Sequence, residues 1–148
     1  MNEFIKPFNK MEICSLEVAQ RRLIKRMIDD GFDLQLVFPI NNFRYSIIRF
    51  KEKTIFMMFK KEVFKNFGKK FRYLGYVGCG ETINVLDLQM ALKFKTDEIY
   101  SIFPNGIAYM ITFADFMEKS VSWTNKEGKN VRSVSIHELK RTYDLRLD

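Results

Sequence analysis

Residues 15–31, SLEVAQRRLIKRMIDDG, constrain the fold more than any other stretch. Leu16, Ala19, Leu23, Ile24, Met27 and Ile28 recur at helical spacing and form one apolar stripe, while Arg21, Arg22, Lys25 and Arg26 fall off it. Ser15 suits an N-cap, and Gly31 suits the left-handed residue that ends a helix. After Gly31 the apolar period drops from about 3.6 to 2. In residues 33–39, DLQLVFP, Leu34, Leu36 and Phe38 alternate with Asp33, Gln35 and Val37, which predicts a strand. Residues 44–50 and 54–59 predict two more strands, joined by a turn at Lys51-Glu52-Lys53.

The rest of the chain continues the mixture. Residues 61–71 read as a basic helix or loop, and 75–80, GYVGCG, as a flexible turn. Asn84 is placed to cap a helix over VLDLQMALKF. Residues 99–113 are apolar, but Pro104-Asn105-Gly106 breaks them into a hairpin. A short helix around 115–121, a polar loop NKEGKN, a strand at 131–136 and a charged tail complete the pattern. These elements predict an α/β (α+β) fold, a mixed central sheet flanked by helices. With 148 residues and no interdomain linker, one domain over 1–148 is expected: a lead-in at 1–14, a core at 15–74, and a helix, hairpin and strand over 75–148.

Composition removes several classes. At 47% apolar and 29% charged, the chain is globular rather than disordered. Cys14, Cys79 and His137 are too few for a Cys/His zinc site or a disulfide scaffold, so a reduced, cytoplasmic (intracellular) protein is expected. MNEFIKPFNKMEIC has no secretory apolar core, and no membrane partner is expected. The net charge is +7 and localised: residues 44–72 hold ten basic residues against two acidic, +8, and the remainder holds 15 basic against 16 acidic, −1. Such asymmetry suggests a polyanion, nucleic acid first. A lysine-rich solvated surface would produce the same run.

The order of helix, Gly-Phe-Asp turn, strand, Asn-x-x-Arg-Tyr and a strand ending in lysine resembles the PD-(D/E)XK, or restriction-endonuclease-like, superfamily. It is most similar to the small intron-encoded homing endonuclease group. LEVAQRRLIKRMIDDGF (16–32), NNFRYS (41–46) and MFK (58–60) carry the resemblance, about a third of the chain. The resemblance places Glu17 at the helix glutamate, Ser46 at the metal-binding aspartate, Met58 at the strand Gln or Glu, and Lys60 at the catalytic lysine. Glu17 and Lys60 keep the family residue types; Ser46 and Met58 do not.

Those two departures decide the chemistry expected. The family's Mg²⁺ needs hard oxygen ligands; a serine hydroxyl is a poor substitute and a thioether contributes almost nothing. No cofactor is therefore expected, and Mg²⁺ would be needed only by an active enzyme rescued by Asp33, Glu52 or Glu62. The expectation is a DNA-binding protein on an endonuclease-like scaffold with impaired catalysis. Arg44, Tyr45, Arg49, Lys51, Lys53, Lys61, Lys65, Lys69, Lys70 and Arg72 would track phosphates, with Arg21, Arg22, Lys25 and Arg26 as a possible extension. The resemblance also implies a homodimer or higher oligomer. The alternatives are an active Mg²⁺-dependent endonuclease with non-standard ligands, and a protein-interaction or structural subunit. The Gly78-Cys79-Gly80 turn is a weak anion-site signal, and His137 reads as structural.

Overall fold

In the computed structural model, residues 16–40, 45–59, 81–102, 106–124 and 127–146 are described. The elements are α1 (Leu16–Asp29), β1 (Leu34–Ile40), β2 (Tyr45–Phe50), β3 (Thr54–Phe59), β4 (Glu81–Asn84), α2 (Val85–Lys93), β5 (Glu98–Ile102), β6 (Ile107–Thr112), α3 (Phe113–Lys119), β7 (Val121–Thr124), β8 (Asn130–Val134) and β9 (Lys140–Asp144). A six-stranded sheet runs β1-β2-β3-β5-β6-β9, and a three-stranded sheet runs β4-β8-β7. Among the described strands, only β3 and β5 pair in parallel, Ile55 with Glu98 through Phe59 with Ile102. The parallel step requires the long crossover that carries β4 and α2.

The helix stripe explains one layer. Ala19, Leu23, Ile24 and Met27 of α1 pack on Ile48, Phe50, Ile55, Met57, Tyr100, Ile102 and Ala108, all on one face of the main sheet. The alternate residues Tyr45, Ile47, Phe56, Met58, Ile99 and Ile111 face the other way. There Leu88 and Ala91 of α2, Phe116 of α3, and Ile83 and Val134 of the small sheet cover them. β2 and β3 are thus buried on both faces, which suits their continuous apolar runs, YSIIRF and TIFMMF. The fold is mixed α+β, with a mostly antiparallel central sheet between helices.

Gly31 ends α1 at φ +102°. The Phe32 N–H donates to Met27 O at 3.1 Å and the Gly31 N–H to Ile28 O at 2.9 Å, the paired closure that a left-handed C′ residue allows. Phe32 then folds back against the α1 core.

Several boundaries differ from those expected. α3 stops at Lys119 because Ser120 turns extended, and Val121–Thr124 form β7. β8 ends at Val134, and His137 lies in a 3₁₀ turn over Ile136–Glu138, not on a strand. The expected charged tail is β9, an edge strand on β6. Its charges hid it: Lys140 and Arg141 stay in solvent while Tyr143 packs against the α1 core. β4 also went unread; only Ile83 supplies a buried apolar side chain there.

Candidate functional site

Ser46 is wholly enclosed, between Pro39 on β1 and Met57 on β3. It shares a sheet face with Ile48 and Phe50, the face under α1. Its Oγ donates to Oε1 of Gln20, a residue only 8% exposed on the flank of the helix stripe. Among the described residues, the helix group that meets Ser46 is Gln20. Glu17 lies in the first turn of α1, and its side chain is outside the described set. Gln20 was visible in sequence as the polar residue beside Ala19 and three before Leu23, at the border of the stripe.

Met58 does not join Ser46. Antiparallel register sets Ser46 opposite Met57 and Tyr45 opposite Met58. Directly opposed side chains share a face, so Met58 lies on the α2 side of the sheet, 4% exposed among Ile47, Phe56 and Leu88. The two positions that the resemblance pairs as metal ligands are on opposite faces. Among the described residues, the donors at hand on the Ser46 side are a hydroxyl already given to an amide, that amide, and the Met57 thioether. This set does not fit Mg²⁺, which demands several hard oxygens in one shell.

Two of the expected rescue ligands, Asp33 and Glu52, sit away from it. The Asp33 N–H donates to Glu52 Oε1 at 3.0 Å, and both residues flank the β2–β3 turn, the full length of β2 from Ser46. Among the described residues, no three His, Cys, Asp or Glu side chains are grouped to hold a metal ion. Glu62, Lys60, Cys14, Cys79 and the Gly78-Cys79-Gly80 turn lie outside the described residues.

The basic segment is partly structural. Tyr45, expected at phosphates, is 6% exposed and stacks on Phe56 at 5.5 Å. Arg49 is half-buried and donates from Nη2 to Phe94 O at 3.4 Å. Lys53 pairs with Glu98 at 2.8 Å, and its Nζ sits 4.2 Å from the Phe32 ring centroid. Among the described cations of the segment, Lys51 is the exposed one, its backbone N–H donating to Asp33 O at 2.7 Å. Arg44, Lys61, Lys65, Lys69, Lys70 and Arg72 lie outside the described residues.

Lys53 belongs to a polar cluster under the C-terminal end of α1. Tyr143 OH donates to Asp30 Oδ2 at 2.6 Å. Burial, then the Glu98 charge, pushes the Tyr100 phenol above its ordinary range; burial, then the bond to Asp30, does the same for Tyr143. The Lys53–Glu98 ion pair and the Tyr143–Asp30 hydrogen bond tie the β2–β3 turn to β5, and β9 to the end of α1.

A second charged region lies along α1 and the turn after β9. Arg21 and Lys25 are exposed, and Arg22 and Arg26 half-exposed. Arg22 Nη1 donates to Leu145 O at 2.9 Å, which brings that turn against the helix. In the turn Arg146 grips Asp144 with Nε at 2.9 Å from Oδ1 and Nη2 at 2.7 Å from Oδ2. Hydrogen bonding to Arg146 holds the Asp144 carboxyl below its usual range.

No family model matches the chain, and no curated protein or solved structure matches it either. No helix among the described residues is long and apolar enough to cross a membrane.

Proposed function

We propose that the protein binds nucleic acid, DNA foremost, on a PD-(D/E)XK-like scaffold that no longer cuts. The α-β-β-β order, the mixed sheet and the helices on both of its faces support the scaffold. The +7 net charge supports the ligand, because a polyphosphate backbone is what such an excess attracts without sequence information. The observation that carries the loss of catalysis is the enclosed Ser46–Gln20 hydrogen bond, with Met58 turned to the opposite face. Part of the same reading is a cytoplasmic protein working as a homodimer or higher oligomer.

The test is one titration of a labelled duplex and a supercoiled plasmid, in Mg²⁺, Mn²⁺ or EDTA, at two salt concentrations. The expected result is salt-sensitive binding that is the same with metal and with EDTA, and no nicking. Metal-dependent nicking that disappears in Lys60→Ala would overturn the loss of catalysis. Absence of binding at low salt would overturn the ligand.

A further inference from the structure

We infer that the solvent side of α1 forms the surface that tracks the phosphate backbone, an assignment that rests on the nucleic-acid reading above. The sequence put that surface on the 44–72 segment. In the fold, Arg49 and Lys53 of that segment are drawn into internal bonds, whereas α1 keeps Arg21 and Lys25 exposed. Arg21 and Lys25 are exposed at i and i+4, about 6 Å apart along the helix, and the half-exposed Arg26 follows Lys25. Among the described residues, none of these three is in an ion pair.

The bond from Arg22 to Leu145 O brings only the backbone of the turn after β9 against the helix. Asp144 is set opposite Ile107 and Arg141 opposite Tyr109, so Asp144 and the two arginines that hold it, Arg141 and Arg146, belong to the other face of the sheet. The four cations of α1 (Arg21, Arg22, Lys25 and Arg26) thus share their region with the carboxylates of Asp29 and Asp30. Asp30 is engaged by Tyr143. Asp29 is exposed at the helix end. The excess is positive, and its arginine forks suit phosphate oxygens.

Nucleic acid fits better than an anionic bilayer. A helix that lies on a membrane inserts its apolar face. Leu23 and Met27, the centre of that face here, have no exposure at all because the sheet covers them. The side left to solvent is polar and cationic, which serves a backbone of phosphates and offers little to acyl chains.

The experiment compares two triple variants of the full chain, Arg21→Ala/Lys25→Ala/Arg26→Ala and Lys65→Ala/Lys69→Ala/Lys70→Ala. Anisotropy of a labelled duplex is read over a salt series, and thermal melts confirm that folding is retained. The α1 variant is expected to lose at least tenfold in affinity at low salt. Its plot of log K against log salt is expected to become shallower by about 2 to 3, close to one unit for each phosphate no longer neutralised. If the α1 variant binds with unchanged slope while the Lys65 set loses binding, this surface is wrong and the nucleic-acid reading stands. If the wild-type chain binds no duplex at low salt, both fail. If it binds phosphatidylserine vesicles and not the duplex, the surface serves a membrane and the inference fails.

Discussion

Ser46 Oγ donates to Gln20 Oε1 across the α1–β2 interface, closed off from water. Ser46→Ala strands the Gln20 amide in the core, and a buried polar group without its partner costs about 1–3 kcal/mol. Replacing both ends should be milder than replacing one. Urea unfolding of Ser46→Ala, Gln20→Leu and the double variant is expected to give a double variant more stable than the sum of the single losses implies. Strict additivity would mean that the two side chains do not depend on each other.

Lys53 holds a second such dependence. Its ammonium lies 2.8 Å from Glu98, with the two side chains 19% and 18% exposed. Lys53→Met keeps the stem over Phe32 but leaves Glu98 uncompensated. A fully buried pair would lose more, and partial solvent access brings the expected cost to about 2 kcal/mol. Adding Glu98→Gln to Lys53→Met should restore a good part of it in the same unfolding measurement.

Tyr143 and Tyr100 set the alkaline limit. Both phenols are held above their ordinary value of 10.0 in the folded chain. The folded state therefore keeps protons that the unfolded state releases once the pH passes 10. The stabilisation is complete below that pH and is lost as pH rises above it. Melting temperature is expected to fall above pH 10, less steeply in Tyr143→Phe, which at neutral pH should lose only about 1 kcal/mol with the exposed bond to Asp30. Equal alkaline slopes for wild type and Tyr143→Phe would remove Tyr143 from this role.

Gly31 is a backbone position and nothing more. Its φ is +102°, yet a Cβ placed there would meet no atom within 4 Å. Gly31→Ala should cost about 1 kcal/mol through conformation alone, with no repacking. A loss several times larger in chemical unfolding would show that the turn transmits strain into the α1 core.

What the chain revealed in advance followed the strength of its periodicities. α1, β1, β2, β3 and the 98–112 hairpin were legible because burial imposes 3.6 on a helix stripe and 2 on a half-buried strand. β9 was not, because the exposed charges Lys140 and Arg141, on opposite faces of this edge strand, leave no apolar alternation at its start and made it look like a tail. Ser46 and Met58 were legible as departures from a motif, but not as residues on opposite faces. That depends on register: Ser46 falls opposite Met57, and a slip of one residue would have exchanged the faces. Gln20 escaped because a polar residue at the border of a stripe looks the same whether it faces solvent or a buried hydroxyl. Lys53 looked like free charge until the fold put Glu98 beside it, 45 positions along the chain.

The bond from Arg22 to Leu145 spans 123 positions, and that from Tyr143 to Asp30 spans 113. A chain leaving the ribosome exposes α1 long before β9 exists to seal its flank. Until β9 emerges, Leu23 and Met27 have β2 and β3 beneath them but nothing closing the far edge, and the parallel β3–β5 pairing must itself wait for its crossover. The fold therefore closes only once Leu145 has emerged, and a ribosome that stalled before it would hold out a nascent chain with an open core and a short life among proteases.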